Sequence, residues 1–415
     1  MFTTFGALVG LAVAIALIVR KAPPAYALVL GALAGGVAGG GGLAGTVDAM
    51  IGGAKGMMPA VLRILASGVL AGALIKTGAA AKIADAIVGG LGKRLALPAV
   101  ALATLVICAV GVFIDIAVIT VAPIGLAVGR KAGLPTPALL LAMIGGGKAG
   151  NVVSPNPNTI AAADAFKVDL TALMLENAVP ALAAFLATVA LAWWLARRAK
   201  GEEPAADFGG GEASALPPLW AAAAGPLLVV ALLALRPVCG VKVDPLVALP
   251  AGGFATMLAT RRAREATAIS AFGLSKVAGV AILLIGTGAI AGIVKDSGLN
   301  GDVIALLKLC RLPAFMLAPV SGVLMAGATA STTAGATVAA QTFSGALLAA
   351  GVPALSAAAM IHAGATVVDS LPHGSFFHAT GGAAFMSIQD RLKLIPYEAA
   401  VGLAATAASV LVYAA

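Results

Sequence analysis

Charged residues are scarce in this sequence. They make up 10% of its 415 residues, where an ordinary soluble domain carries about 25%. Hydrophobic residues make up 61%, more than a single soluble core can bury, so a soluble globular protein is excluded. Apolar runs of about 20 residues recur along the chain, without the alternating segments of about ten residues that build a membrane barrel. The sequence predicts an all-α polytopic membrane protein with about 10–12 spans.

Cysteine and the common catalytic motifs are also rare or missing. Cys108, Cys239 and Cys310 lie far apart in or beside apolar segments, which argues against a disulfide framework or a metal site. GxxxxGK[ST], HExxH, GxGD and DDxxD do not occur, which disfavours an ATP-driven pump and an intramembrane enzyme. We therefore predict a protein that is not an enzyme and has no cofactor.

The net charge of +9 does not indicate a nucleic-acid partner. The basic residues cluster at the ends of apolar segments, where they set the orientation of a membrane protein. Arg20 and Lys21 follow the first segment, and Arg261, Arg262 and Arg264 follow the eighth. These ends are predicted to face the cytoplasm, in a multi-pass protein of the inner (plasma) membrane.

One polar stretch, residues 197–217, divides the chain into a first membrane repeat, 1–196, and a second, 218–415. SGVLAGALIKTG (67–78) resembles TGAIAGIVKDSG (287–298) at a shift of 220 residues. At a shift of 218, residues 113–135 resemble 331–353, and NVVSPNPNT (151–159) falls on DSLPHGSFF (369–377). If the stretch 197–217 is a cytoplasmic linker, the repeats enter the membrane from opposite sides. Inverted repeats of this kind are typical of secondary transporters.

Each half contains two segments that a smooth membrane helix would not contain. The stretches 110–131 and 326–343 are predicted to be re-entrant hairpins, with a helix packed through small residues as the alternative for the second. The stretches 145–160 and 362–382 carry glycines and prolines that stop a helix. We predict a broken membrane helix at each, because polar backbone survives in a bilayer only within protein or beside a water-filled cavity. An extramembrane loop is the alternative.

The breaks supply a candidate site for an anion. Restarted helix N-termini carry about half a positive charge each and bind anions without arginine. The candidate substrate-binding residues are polar or glycine and lie in or beside the interrupted segments of the two halves: Lys148, Asn151, Ser154, Asn156, Asn158, Thr159, Ser331, Thr332, Thr333, Ser370, His373, Gly374 and Ser375.

Ionisable residues inside membrane segments are candidates for cation coupling. The candidates for cation coupling are Asp115, Asp369 and His373, and a helix-cap role is the alternative for each aspartate. Lys148 is expected to pair with a substrate carboxylate, to reach the membrane interface, or to pair with Asp164. Asp390, Arg391, Lys393 and Glu398 are expected to form an interfacial segment, and no metal site is predicted.

Four stretches together resemble the gluconate permease (GntP) family of proton symporters, within the wider ion transporter superfamily. They are ASGVLAGALIKTGAAAKIADAI (66–87), FIDIAVITVAPIGLAVGRKAG (113–133), GGGKAGNVVSPNPNTIAAADAF (145–166) and ATVVDSLPHGSFF (365–377). They occur in order over nearly the whole chain. The resemblance implies a small organic carboxylate moved inward with a cation, a scaffold part, a mobile part and a homodimer. The break SPNPN departs from the glycine and histidine usual in gluconate-type members, which leaves the substrate open.

Residues and resemblance together predict a secondary active transporter working by alternating access. Proton symport of gluconate or a related hydroxy or keto acid is preferred. Sodium coupling is the alternative, since Asn, Ser, Thr and free carbonyl groups also bind sodium. A channel or an intramembrane enzyme is less favoured.

Overall fold

The computed structural model describes residues 2–198, 216–309 and 313–414. Within these ranges the named secondary-structure elements are helices, so the predicted all-α class is confirmed. Residues 199–215 of the predicted linker, and Cys310, lie outside the described residues.

The helices of the first half follow the apolar segments of the sequence. In chain order they are α1 (Thr4–Val19), α2 (Pro24–Ala38), α3 (Gly42–Gly56), α4 (Met58–Lys76), α5 (Ala79–Leu91), α6 (Ala96–Ala109), α7 (Ile114–Lys131), α8 (Thr136–Val152), α9 (Pro157–Phe166), α10 (Leu170–Glu176) and α11 (Ala178–Arg198).

The helices of the second half follow in the same way. They are α12 (Leu219–Cys239), α13 (Pro245–Ala259), α14 (Ala266–Lys295), α15 (Leu299–Leu309), α16 (Leu317–Thr329), α17 (Thr332–Ala349), α18 (Ala354–Gly364), α19 (Ser375–Ala383), α20 (Ile388–Leu392) and α21 (Ile395–Ala414).

The order of helices repeats along the chain. Helices α7, α8 and α9 begin at residues 114, 136 and 157, and α17, α18 and α19 begin at 332, 354 and 375. The shift is 218 residues in all three cases, the same shift that relates the two stretches of sequence. One long helix, α14, stands where the first half has the pair α3 and α4.

Four segments are long and apolar enough to cross a membrane by length and composition: Met58–Lys76, Ala178–Arg198, Ala263–Lys295 and Ile388–Ala414. Several other helices are apolar but shorter. Helices α11 and α21 pack side by side, and the ring of Trp194 lies 5.6 Å from that of Tyr397. The end of α11 therefore lies beside the start of α21, so the two helices run in opposite directions.

Each half contains a helical hairpin, but the predicted stretches 110–131 and 326–343 do not form these hairpins by themselves. Residues 114–131 form one continuous helix with Pro123 inside it, and the turn lies at residues 110–113, so the hairpin consists of α6 and α7. The start of α6 and the residues after α7 line one cavity together with Trp193, so the hairpin enters and leaves at the same end of the bundle. The second hairpin likewise consists of α16 and α17, with its turn at Ala330 and Ser331. Each predicted stretch covers mainly the turn and the second arm.

The glycine run of residues 145–147 does not stop the helix, contrary to the prediction. Helix α8 continues through it to Val152. An added Cβ at Gly146 would lie 2.1 Å from the carbonyl oxygen of Ala101 in α6, and one at Gly150 would lie 2.2 Å from that of Leu105. Small residues let membrane helices approach closely. The glycines therefore bring α8 against α6, and the break follows only where Pro155 and Pro157 remove backbone donors.

A matched pair of substitutions tests this packing. Gly146→Ala should lower the free energy of unfolding by about 1–3 kcal/mol, because the new methyl group overlaps the α6 backbone. Gly89→Ala, where nothing lies within 4 Å of an added Cβ, should be neutral or stabilising, because alanine is the better helix former. Melting temperatures of the purified variants provide the measurement. An equal response of the two variants would contradict the packing role of Gly146.

Candidate functional site

Both predicted helix breaks are present in the interior of the bundle. The first lies between the end of α8 at Val152 and the start of α9 at Pro157. The second lies between the end of α18 at Gly364 and the start of α19 at Ser375. The stretch NVVSPNPNT therefore contains the last turn of α8, the non-helical backbone and the first turn of α9.

Asn156 holds the two parts of the first break together. Its side-chain oxygen accepts hydrogen bonds from the backbone N–H groups of Asn158 (2.9 Å) and Thr159 (3.2 Å), which caps α9. Its side-chain NH₂ group donates to the backbone oxygen of Asn151 at 2.9 Å and also to the side-chain oxygen of Asn151. Asparagine is among the best N-cap residues because its side-chain oxygen accepts hydrogen bonds from the first backbone N–H groups of a helix. The N-terminus of α9 is thus capped by its own chain, which leaves less of it for an anion than predicted.

The N-terminus of α19 differs in this respect. Its N-cap residue is Gly374, and no side chain caps the helix. An added Cβ at Gly374 would lie 2.4 Å from the carbonyl oxygen of Ala330, so the second break lies directly against the turn between α16 and α17. His373 is half-buried, with its Nε2 atom 3.3 Å from the carbonyl oxygen of Ala328. Ser375 is exposed. The uncapped helix end that the sequence predicts is therefore in the second half.

A buried ion pair joins the two halves at the breaks. The Nζ atom of Lys148 lies 2.7 Å from Oδ1 of Asp369, and both side chains are almost completely buried. Nζ also donates to the carbonyl oxygens of Thr366 (2.6 Å) and Glu398 (3.2 Å). A lysine ammonium group has three donors, and these three contacts match that number.

The carboxylate of Asp369 is bound from the other side by hydroxyl groups. Thr332 of α17 donates to Oδ2 at 2.6 Å, and Ser370 donates to Oδ1 at 3.1 Å. A buried charge is tolerated when it is paired and hydrogen-bonded. The structure thus connects four of the predicted site residues, Lys148, Thr332, Asp369 and Ser370, in one network.

Two expectations for Lys148 need correction. The carboxylate that Lys148 contacts is Asp369, not Asp164. Asp164 instead pairs with Arg63 of α4, which also binds Asp244. Lys148 does not extend to the membrane interface either, because its side chain is 1% exposed.

The three adjacent hydroxyl residues at the start of α17 have different partners. Ser331 caps the helix by accepting from the backbone N–H of Ala334 at 3.3 Å. Thr332 binds Asp369, and Thr333 donates to the side-chain oxygen of Asn158 in α9. The turn of the second hairpin therefore contacts both breaks.

Asp115 lies apart from this network. It is in the first turn of α7, half-buried, and near Lys276 of α14. Among the described residues, no hydrogen bond connects it to Lys148 or Asp369. Of the two aspartates that the sequence treats as equivalent candidates, the structure thus places only Asp369 in the hydrogen-bond network of Lys148.

Several buried polar atoms of the described residues have no hydrogen-bond partner. In and beside the breaks they are Nδ2 of Asn151 and Oγ of Ser154, with Oγ1 of Thr337 on α17 and both ring nitrogens of His362 on α18. Buried polar groups are normally paired with protein or water. These atoms lie on α8, in the first break, on α17 and on α18.

The sequence analysis missed a second buried ion pair. Arg391 and Glu398 were expected at the membrane interface, but each is 1% exposed and they pair with one another. Arg391 also donates to Oγ1 of Thr380 and lies 4.9 Å from the ring of Phe377, which fixes α20 and α21 against α19. Arg391 and Glu398 are seven residues apart with Pro396 between them, and this spacing does not indicate an ion pair. Because the carbonyl of Glu398 accepts from Lys148, this pair also supports the candidate site.

The Lys148–Asp369 pair can be tested by a double-mutant cycle. Lys148→Met and Asp369→Leu should each cost about 3–5 kcal/mol, because each leaves a buried charge without its partner. The double variant should recover part of this loss, since no unpaired charge remains. Additive losses would contradict the pairing. Asp390→Asn, which removes an exposed partner of Lys393, is the control and should cost less than about 1 kcal/mol. Melting temperatures of all variants give the comparison.

Comparison with known proteins agrees with this architecture. A family model described as GntP family permease matches residues 2–414. An uncharacterized transporter of Haemophilus influenzae is 53% identical over 414 residues, which cover 99% of this chain and 98% of the relative. The crystal structure of the Alcanivorax borkumensis YdaH transporter, described as having an unusual topology, superposes with a TM-score of 0.66 at 17% identity, over 90% of this chain and 88% of that one. That likeness shows the fold. The chain is a multi-pass membrane transporter rather than an enzyme, and it belongs to the GntP family of permeases.

Proposed function

We propose that this protein is a secondary active transporter that moves a small organic carboxylate, such as gluconate or a related hydroxy or keto acid, together with a proton. The observation that carries the proposal is the buried Lys148–Asp369 pair, which joins the breaks of the two halves in a membrane protein. Ionisable residues buried in a membrane protein are costly, so they are functional candidates by default.

The substrate site is proposed at the N-terminus of α19. This helix end lacks a side-chain cap, whereas α9 is capped by Asn156. Ser375 and the second ring nitrogen of His373 supply further polar groups there. The unpaired polar atoms of Asn151 and Ser154 belong to the first break and are available for the hydroxyl groups of the same substrate.

The charge balance of the pair supports proton coupling. When Asp369 is ionised, it holds Lys148, and the site is neutral. Protonation of Asp369 would release the ammonium charge for a substrate carboxylate, and the site with one proton and one monoanion would again be neutral. Because an unbalanced buried charge is unfavourable, substrate and proton would bind together.

The Lys148 ammonium group also bears on sodium coupling. It occupies the side of Asp369 where a metal cation would neutralise the carboxylate, and its donors are matched by three oxygen acceptors. Sodium is therefore the less favoured coupling ion.

Alternating access between inverted halves is supported by the unequal packing of α9 and α19. Helix α9 packs against α4, α17 and α18, and its first two turns are buried. Helix α19 packs mainly against α7 and α20, and it exposes Ser375 and His378. Two equivalent elements in unequal surroundings are expected when inverted repeats occupy one of two access states.

We propose that the bundle end with Arg94, Arg197 and Arg262 is cytoplasmic, following the positive-inside rule, and that the protein functions as a homodimer.

Ligand binding and transport can be separated experimentally. A thermal-shift screen of the purified protein against gluconate and other small carboxylates should give a stabilising hit, whose uptake is then measured in proteoliposomes. Lys148→Met should abolish uptake of that compound, because the substrate carboxylate loses its counter-charge. Arg262→Gln, at the surface, should leave uptake nearly unchanged. Full uptake by Lys148→Met would contradict the proposed role of Lys148.

Coupling can be tested with the same preparation. An inwardly directed proton gradient should drive uptake without sodium. Asp369→Asn, a permanently neutral side chain, should retain exchange of internal for external substrate but lose accumulation driven by the proton gradient. Asp115→Asn is the matched control and should remain coupled. Uptake that requires sodium and ignores the pH gradient would show the alternative mechanism.

A further inference from the structure

An apolar groove on the outside of the bundle is lined by five structural parts of the chain. They are α6, the first break at Val153 and Pro155, α10, α11 and α12. The groove has a volume of about 690 Å³, within the range of about 300–1,000 Å³ typical of ligand pockets. Apart from Thr171, the described residues that line it are apolar. Its rim includes Leu175, Leu182 and Val230, which are 63%, 57% and 59% exposed, so the groove opens outward from the bundle along an apolar surface.

One end of this groove leads to a polar pocket of about 160 Å³. Thr171 and Leu233 line both spaces. The pocket lies where α9, α10 and the loop before α13 meet at the surface of the bundle. It contains three basic and three acidic residues: Arg63, Lys167, Lys242, Asp164, Asp169 and Asp244.

Some charges of the pocket are held in an ion-pair cluster around Arg63, whereas two lysines are exposed at its mouth. Arg63 donates two hydrogen bonds to Asp244, at 2.8 and 3.1 Å, and also pairs with Asp164, so its charge is more than balanced. These hydrogen bonds hold the pKa of the Asp244 carboxyl below its ordinary value, so Asp244 is ionised at neutral pH. Lys167 and Lys242 are both exposed at the mouth of the pocket. Asp169 caps α10 through the N–H of Ala172 at 3.1 Å. Three positive and three negative charges leave the pocket neutral overall.

We propose that the groove and the pocket together form a binding site for one zwitterionic glycerophospholipid, for which phosphatidylethanolamine is the test compound. An acyl chain lies in the groove between α11 and α12. The phosphate binds Lys167 and Lys242, and the ammonium group binds the exposed side of Asp244. A neutral pocket that presents both signs of charge matches a zwitterion better than an anionic lipid, which would leave the carboxylates without a counter-charge.

Two energy terms determine what occupies the groove in a bilayer. An acyl chain gains no hydrophobic transfer energy by leaving surrounding lipid for the groove, because lipid tails are as apolar as leucine. An empty gap, however, forfeits the dispersion contacts of all its lining atoms. Lipid therefore fills the space, and the charged headgroup contacts determine which lipid stays. The site is independent of the transported substrate, so it stands or falls separately from the proposed transport function.

Native mass spectrometry tests the proposal. The purified full-length protein is released from nanodiscs made of equal parts dioleoyl-phosphatidylethanolamine and dioleoyl-phosphatidylglycerol, and the retained lipid is identified. One phosphatidylethanolamine per chain should be retained preferentially. Lys242→Gln should reduce its retention roughly tenfold, the effect of losing one charge-assisted hydrogen bond. Ala178→Trp, which fills the groove from the exposed start of α11, should reduce it at least as much.

Two substitutions serve as matched controls. Lys55→Gln removes an exposed lysine outside the pocket, and Leu403→Trp adds an indole on the exposed apolar face of α21. Both should retain the lipid as the wild type does. Preferential retention of phosphatidylglycerol would overturn the headgroup assignment. Equal retention in wild type and both site variants, or no retained lipid in the wild type, would overturn the site. Because Lys242 lies on the surface, its variant remains informative even if Ala178→Trp fails to fold.

Discussion

The buried pairing of Lys148 with Asp369 is the interaction on which the central part of this structure depends. Four elements that are distant in sequence supply its contacts: α8, the second break, the start of α17 and the start of α21. A charge in such a place is stable only if every donor and acceptor finds a partner. This requirement fixes the position of both breaks relative to each other. At the repeat shift of 218 residues, Lys148 corresponds to Thr366, whose carbonyl it binds, so the pair lies where the two halves meet.

Backbone chemistry accounts for the arrangement around that pair. A helix that ends inside a membrane leaves N–H and C=O groups without water to bind. In the first break Asn156 satisfies two such N–H groups and ties them to the preceding helix. In the second break Gly374 brings the chain against the adjoining turn, and no side chain caps α19. The two halves share an order of helices, but a side chain caps the restarted helix only in the first half. That difference provides one closed helix end and one open end for a ligand.

Packing of small residues controls how closely the helices carry these groups together. Gly146 and Gly150 allow α8 to approach α6 at the distance of backbone contact, and Gly147 accommodates Ile114 at the start of α7. On the opposite side of the same region, α11 and α12 leave a groove instead of packing together. The bundle therefore combines a tightly packed interior, where the ion pair is almost completely buried, with an open apolar groove beside the first break.

The sequence by itself determined the membrane class, the division into two similar series of helices, and the place of both breaks, because these follow from local properties: scarce charge, apolar run length, and proline and glycine chemistry. It also marked Lys148, Asn156, Thr332, Asp369 and Ser370 as unusual for an apolar chain. Only the tertiary structure decided their partners. Lys148 pairs with Asp369 rather than Asp164, and Arg391 is buried against Glu398 rather than interfacial. The glycine run permits packing rather than ending a helix. Pairing and close approach depend on which helices become neighbours, and that is set by the burial of all the apolar faces together rather than by any single segment.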